Sequence, residues 1–155
     1  MKIGFTGSRN GMTKEQKDYI GELLKQLAPT EAHHGDCVGA DADFHAICVE
    51  LGVAVVVHPP SNAKSRARCI PVSATRPPLP YLQRNQYIVR SSAALIAAVS
   101  GPERVRSGTW ATIRFARKLR RPILLVHADG QATSETGGSQ LLESAPAKLT
   151  HSKDA

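Results

Sequence analysis

The chain has 155 residues, 41% of them hydrophobic, and a formal net charge of +7. That length predicts one domain able to bury a core without disulfide staples. The odd set Cys37, Cys48 and Cys69 has no paired spacing and argues against a secreted disulfide framework. No run reaches the roughly 18–20 apolar residues of a membrane span, and Gly7, Ser8 and Arg9 interrupt any signal-peptide pattern, so a cytoplasmic protein without membrane association is expected.

The N-terminal KIGFT reads as a short buried strand ended by Gly7. Thr13 and Gln16 spell a capping box, and Tyr19, Ile20, Leu23, Leu24 and Leu27 follow at helical spacing until Pro29. Residues 31–35 form a weaker second strand. Residues 40–51 form a second helix with Phe44, Ile47, Cys48 and Leu51 on one face, stopped by Gly52. VAVVVH at 53–58 is the β-branched run of a strand covered on both faces. Residues 59–80 carry six of the ten prolines, four basic residues and no acid, which predicts a long loop with a functional role. A helix is predicted at 82–91, a strand at 93–99, a helix at 108–119 and a strand at 122–128.

Strands alternating with helices predict an α/β fold: a Rossmann-like, doubly wound sheet of about five parallel strands with helices on both faces. Residues 1–128 form the domain in this reading. Residues 129–155 show little periodicity and are expected to be a disordered C-terminal tail, with Leu141 and Leu142 able to form a short packed turn.

The charge is uneven. Residues 1–50 are net −3, residues 51–128 hold thirteen Lys/Arg against Glu103 alone, and residues 129–155 are net −2. Such a basic segment implies an anionic partner without saying which kind.

Ligands of open α/β sheets bind beyond the carboxyl ends of the strands, near the point where strand order reverses. Four loops of unusual composition are expected there. Gly7-Ser8-Arg9 offers close backbone approach, a hydroxyl and a planar bidentate donor for phosphate, followed by a helix N-terminus. In the loop from Gly35 to Asp43, two glycines, Gly35 and Gly39, bracket an acidic stretch suited to a ribose hydroxyl. Asp41 could hold that ribose, orient Arg9 or move a proton; Asp41 and Asp43 could equally serve only the helix N-terminus. Arg84-Asn85 follows the proline-rich loop. Ser107-Gly108-Thr109 begins a helix with small residues and two hydroxyls, a further anion cradle. Trp110 reads as core.

GFTGSRNGMT, HGDCVGADADFHAI, RNQYIVRSSAALIAA and SGTWATIRFARKLRRPILLV, in this order over roughly residues 1–128, resemble the SLOG superfamily. That superfamily includes the DNA-processing protein A (DprA) family, the cytokinin-activating LOG phosphoribohydrolases and small YspA-like proteins, the last closest in look. The resemblance implies a Rossmann-like fold that binds a nucleotide or nucleotide-derived ligand. By matching position, Gly7, Ser8, Arg9, Gly35, Gly39, Asp41, Arg84, Asn85, Ser107, Gly108 and Thr109 line the site; separately, in the nucleotide-binding reading, His58 is a ligand-binding candidate and the loop after it is expected to cover the base. It also implies a homodimer or higher homo-oligomer. Where LOG enzymes carry a glutamate after Gly-Thr, this chain has Thr112. No helix-turn-helix follows residue 128, as a full DprA role would require. The dinucleotide fingerprint Gly-x-Gly-x-x-Gly is missing as well.

The function expected is thus binding of a phosphorylated, nucleotide-like small molecule, as a sensor or as a hydrolase with Asp36 or Asp41 as general base. The alternative is DprA-like binding of single-stranded nucleic acid by the basic 51–128 segment, with few aromatic residues to stack bases. No cofactor is predicted and nothing in the sequence supports magnesium. His33, His34, Asp36 and Cys37 fit no metal-ligand spacing. Cys37 lies near a helix start, where a thiol pKa can fall, although a buried inert cysteine is the commoner outcome.

Overall fold

The structure is a computed structural model that describes residues 1–143; residues 144–155 lie outside the described residues. Seven strands form one sheet: β1 (Lys2–Gly7), β2 (Glu31–His34), β3 (Val55–Val57), β4 (Ala74–Thr75), β5 (Ala94–Ala98), β6 (Ile123–Val126) and β7 (Ala132–Glu135). Their spatial order is β4-β3-β2-β1-β5-β6-β7, and every pair is parallel except β6–β7. The chain winds outward from β1 to β4 and then returns to place β5 against the other side of β1. Strand order therefore reverses at β1.

Helices cover both faces. They are α1 (Lys14–Leu27), α2 (Ala40–Leu51), α3 (Tyr81–Arg90), α4 (Gly108–Lys118) and α5 (Ser139–Glu143). Successive side chains of a strand point to opposite faces, and the core divides on that period of two. Ala94, Ile96 and Ala98 of β5 and Leu124 and Val126 of β6 join Tyr19, Ile20, Phe44 and Cys48 of α1 and α2. Leu95, Ala97, Ile123 and Leu125 join Val89, Trp110 and Ile113 of α3 and α4. This is why these strands read as unbroken apolar runs.

The capping box forms as the sequence predicts. Thr13 Oγ1 accepts from the Gln16 backbone N–H at 3.1 Å, and Gln16 Oε1 accepts from the Thr13 N–H at 2.9 Å. The same two side chains reach the sheet. Gln16 Nε2 donates to the carbonyls of Val99 and Val126, each at 3.0 Å, and Thr13 Oγ1 donates to the Ala128 carbonyl at 2.7 Å. One helix start thus closes the carboxyl ends of two strands.

Two strands exceed the five expected. β4 is two residues long, inside the proline-rich segment, and pairs with β3 through only two residues, too short for any periodic signal. β7 lies in the segment expected to be a tail. Its residues, ATSE, carry no apolar alternation, and backbone pairing with β6 places them. Residues 129–143 therefore extend the sheet and add α5, whose Leu141 is buried in the core. The remainder of the expected tail lies outside the described residues. Among the described residues, no helix is long and apolar enough to cross a membrane.

Candidate functional site

The loops after β1, β2 and β5 and the start of α3 converge on one cavity of about 470 Å³, at the carboxyl ends of the strands and at the reversal of strand order. Gly7, Ser8, Arg9, Gly35, Asp41, Arg84, Asn85, Ser107, Gly108 and Thr109 all line it. Four segments far apart in sequence are thereby brought together.

The first loop is fixed by its own bonds. Ser8 Oγ accepts from the Asn10 N–H at 3.0 Å, which leaves its O–H to be donated elsewhere. The Ser8 carbonyl accepts from the Ala40 N–H at 2.9 Å and so ties this loop to the start of α2. Gly39 sits beneath it with φ +94°, and a Cβ there would lie 2.2 Å from the Arg9 carbonyl oxygen. Gly39 does not line the cavity; it is the spacer that lets the two loops approach. The Arg9 guanidinium stacks 5.0 Å from the centre of the Tyr81 ring.

Arg84 is buried and held on several sides. Its Nη1 donates to the carbonyls of Gly35 and of His58, the latter at 3.0 Å, and its Nε donates to Asn85 Oδ1 at 2.7 Å. The Nε–H can only donate, so the Asn85 amide is oriented with its oxygen on Arg84 and its NH2 group left over. Asn85 is itself buried and lines the cavity. The Arg84 guanidinium also lies 5.4 Å from the Tyr81 ring centre, so Tyr81 supports both arginines.

Asp41 is the one carboxylate lining the cavity. Its Oδ2 accepts from the Cys37 N–H at 3.2 Å. Burial pushes its pKa up to about 6, with the charge of Arg84 and the backbone N–H groups opposing that rise. A carboxyl group near neutrality with a backbone donor already in place can accept a proton or a ribose hydroxyl bond. Cys37 also lines the cavity, but burial and the neighbouring Asp41 raise its thiol pKa. The thiol is therefore protonated at neutral pH, and the depressed pKa that a helix start can bring is not realised.

Besides Gly39, two of the residues expected at the site stand apart from the cavity. Asp36 is buried in a left-handed conformation, φ +55°. Its two oxygens accept from Arg66 Nε at 3.1 Å and from the Cys69 N–H at 2.8 Å. Both partners belong to the 59–80 segment, so the carboxylate anchors that segment and is occupied by it. His58 borders a second cavity of about 410 Å³ with Arg76, Leu79, Tyr87 and the far side of Arg84. Its ring joins a chain in which His58 Nε2 meets His33 Nδ1 at 2.8 Å and His33 Nε2 meets Glu31 Oε1 at 2.6 Å. Burial lowers the His58 pKa to about 3, so this ring is neutral at pH 7.

Tyr81, Arg104 and Arg106 line the cavity without having been singled out in the sequence. The readable signal for the arginines was their place just before Ser107. For Tyr81 there was none, because a tyrosine at a helix start carries no motif. Thr112, at the position of the LOG glutamate, is buried and donates its hydroxyl to the Gly108 carbonyl at 2.9 Å. Helix α4 thus brings no carboxylate to the cavity.

Among the described residues, one cluster has the donor set for a metal ion: His34, His45 and Cys69, with ligand atoms within 4.8 Å of one another. The Asp36 N–H donates to His34 Nδ1 at 2.9 Å, which places the ring proton of neutral His34 on Nε2, directed at His45 Nδ1 2.9 Å away. Coordination at His34 Nε2 would require removing that proton as well, and the pair is better described as a hydrogen-bond chain.

No protein-family model and no curated protein sequence matches this chain. Solved structures share its fold. A molybdenum cofactor binding protein from the phototrophic bacterium Rippkaea orientalis superposes with a TM-score of 0.63 at 22% identity, over 81% of this chain and 76% of that one. DNA processing protein A from Helicobacter pylori gives 0.59 at 15% identity, over 92% and 72%. DNA processing protein A from Streptococcus pneumoniae gives 0.57 at 16% identity, over 80% of this chain and 49% of that protein. The chain is thus a Rossmann-like α/β domain with a cavity at the reversal of strand order. It shares this fold with DNA processing protein A over the superposed residues.

Proposed function

We propose that this protein binds a nucleotide or a nucleotide-derived phosphorylated ligand in the cavity lined by Arg9, Asp41, Arg84 and Ser107. The observation that carries this reading is the convergence of three anion-binding devices on one cavity: the Gly7–Arg9 loop, the buried Arg84–Asn85 pair and the N-terminus of α4. Asp41 adds an acceptor for a ribose hydroxyl. A volume of about 470 Å³ falls within the small-molecule range of roughly 300–1,000 Å³. The molybdenum cofactor binding protein and the single-stranded DNA binding protein of the same fold support a phosphate-bearing ligand class.

The protein acts as a sensor or as a hydrolase of an N-glycosidic or phosphate bond. In the hydrolytic form, Asp41 is the general base for water, since Asp36 is engaged by Arg66 and Cys69. Native mass spectrometry of the purified protein, followed by incubation with nucleotides and product analysis, tests both forms. A bound nucleotide that Arg9→Ala loses supports the reading, and full occupancy in that variant sinks the phosphate role. Turnover abolished by Asp41→Asn identifies the hydrolase; tight binding without turnover leaves the sensor.

A second reading, single-stranded nucleic-acid binding, draws on the arginines of α4 and of the loop before it. Its test is salt dependence: binding to an oligonucleotide must weaken steeply as salt rises, by about one log-log slope unit per phosphate contact. We rank it second because, of the two aromatic residues lining the cavity, Phe5 is fully buried and Tyr81 already lies against the guanidinium groups of Arg9 and Arg84. A homo-oligomer belongs to this proposal as an expectation from the sequence resemblance, tested by sedimentation.

A further inference from the structure

The geometry points to a ligand with at least two adjacent phosphoryl groups, the second held by Arg104 and Arg106. This inference rests on the nucleotide-binding reading above and specifies its substrate class.

Among the described residues the cavity is lined by four arginines, Arg9, Arg84, Arg104 and Arg106, and by one acidic residue, Asp41. Even with Asp41 ionised the lining holds a net excess of three positive charges. One phosphate monoester, which carries about −1.5 to −2, leaves part of that excess unmatched. A second phosphoryl group brings the charges close to balance.

The disposition of Glu103 strengthens the argument. It is the only acid between residues 51 and 128 and precedes Arg104 directly. Its carboxylate is nevertheless taken by α4, at 3.1 Å from Arg114 Nη1 and 2.9 Å from Arg117 Nη1. Among the described residues, no ion pair engages Arg9, Arg104 or Arg106.

The loop is held in place while these side chains stay unpaired. Arg114 donates to the Arg104 carbonyl at 3.2 Å and to the Val105 carbonyl at 3.0 Å, so α4 fixes the backbone on which both arginines are mounted. Arg104 and Arg106 are two residues apart, and both line the mouth of the cavity while remaining exposed, as is Val105 between them. An independent donor awaits within the cavity: the buried Asn85 NH2 group, whose orientation Arg84 fixes. Asn85, Arg84 and the Ser107 turn suit the first phosphoryl group, and the paired loop arginines suit the next.

The test is calorimetric titration of the full chain with phosphate and pyrophosphate, and with the mono- and diphosphates of the four ribonucleosides. Each charge-assisted contact to the second phosphoryl predicts a diphosphate bound about tenfold more tightly than its monophosphate, and pyrophosphate bound more tightly than phosphate. In Arg104→Ala/Arg106→Ala that ratio falls toward one, whereas Lys118→Ala, an exposed cation of α4 outside the cavity, keeps it. Equal affinity for mono- and diphosphates in the wild type overturns the inference and leaves the nucleotide-binding reading intact. A preference that survives in the double variant overturns the assignment to these arginines. Failure of every probe to bind overturns both readings.

Discussion

Arg84 and Asp41 both crowd the Cα of Gly35. A Cβ added at Gly35 would lie 2.5 Å from Arg84 Nη1 and 2.9 Å from Asp41 Oδ2. The second loop of the site is thus built around an absent side chain, and the principal buried cation and the one carboxylate of the cavity are spaced by it.

Gly35→Ala should therefore damage the site more than its size suggests. The methyl group must displace Arg84, which cannot shift without losing its bonds to the Gly35 and His58 carbonyls. We expect a stability loss of about 1–3 kcal/mol from overpacking and from the carbonyls left unpaired. Ligand binding should fall with it. Denaturant unfolding together with nucleotide titration checks both, and wild-type behaviour in either would show that Arg84 is not held as described.

The pH dependence of stability has two opposed sources. His34 and His58 are held by burial near pKa 3, below their ordinary 6.5, so the unfolded chain binds more protons than the folded one between those values. Stability from these two residues is present above pH 6.5 and is lost as pH falls, at a slope of up to two protons. Asp41 works the other way. Its pKa is raised from 3.8 to about 6, so the folded state binds the extra proton and its contribution falls as pH rises from 4 to 6, at a slope of up to one proton. From pH 6 to 4 these three groups give the wild type a net loss of stability at a slope of about one proton. Asp41→Asn, which keeps an acceptor for the Cys37 N–H, should show about twice that slope. Equal slopes in urea unfolding at pH 4.5 and 5.5 would mean that Asp41 is not buried as a near-neutral acid.

Gln16 offers a test of how the sheet is closed. Its amide donates to the carbonyls at Val99 and Val126, both at buried positions, and its oxygen completes the cap of α1. Gln16→Leu keeps the volume and removes all three bonds. The buried Val99 carbonyl loses its donor while the Val126 carbonyl keeps the Val99 N–H, and with the lost cap bond we expect a cost of roughly 2–4 kcal/mol. Thr13→Ala should cost less, about 1–2 kcal/mol, because the bonds it loses lie nearer solvent. If thermal unfolding ranks the two variants the other way, the cap rather than the strand ends sets the stability of this corner.

Much of this architecture was legible because it rests on local rules. The capping box at Thr13 and Gln16, the unbroken apolar run of β5 and the glycine stop at Gly52 each follow from a few neighbouring residues. The loops of the site were legible for the same reason: glycine, hydroxyl and arginine stand together at strand ends. What escaped was placed by distant partners. Four polar or small residues become β7 only because β6 offers an open edge, and β4 is two residues registered on β3. Asp36 has the composition of a catalytic acid, and only the fold shows that Arg66 and Cys69 occupy it. His58 adjoins the site in sequence, yet Arg84 stands between it and the cavity.

Asp36 supplies the sharpest separation between an anchoring and a catalytic role. Both its oxygens accept from the 59–80 segment, at Arg66 Nε and at the Cys69 N–H, and the Asp36 carbonyl accepts from the Ala67 N–H at 2.7 Å. Asp36→Asn preserves shape but removes the charge, weakening the bond to Arg66 and leaving an NH2 group facing one of two donors. A charge-assisted bond between groups so placed is worth about 1.5–3 kcal/mol. The expected result is faster proteolysis within residues 59–80 and a lower unfolding midpoint, with nucleotide affinity changed far less than in Arg84→Lys, which keeps the charge but cannot reproduce the planar set of bonds to Gly35, His58 and Asn85. Should Asp36→Asn instead abolish turnover while leaving the protease pattern untouched, the carboxylate would have to act in the chemistry, and its bonds to Arg66 and Cys69 would have to open during the reaction.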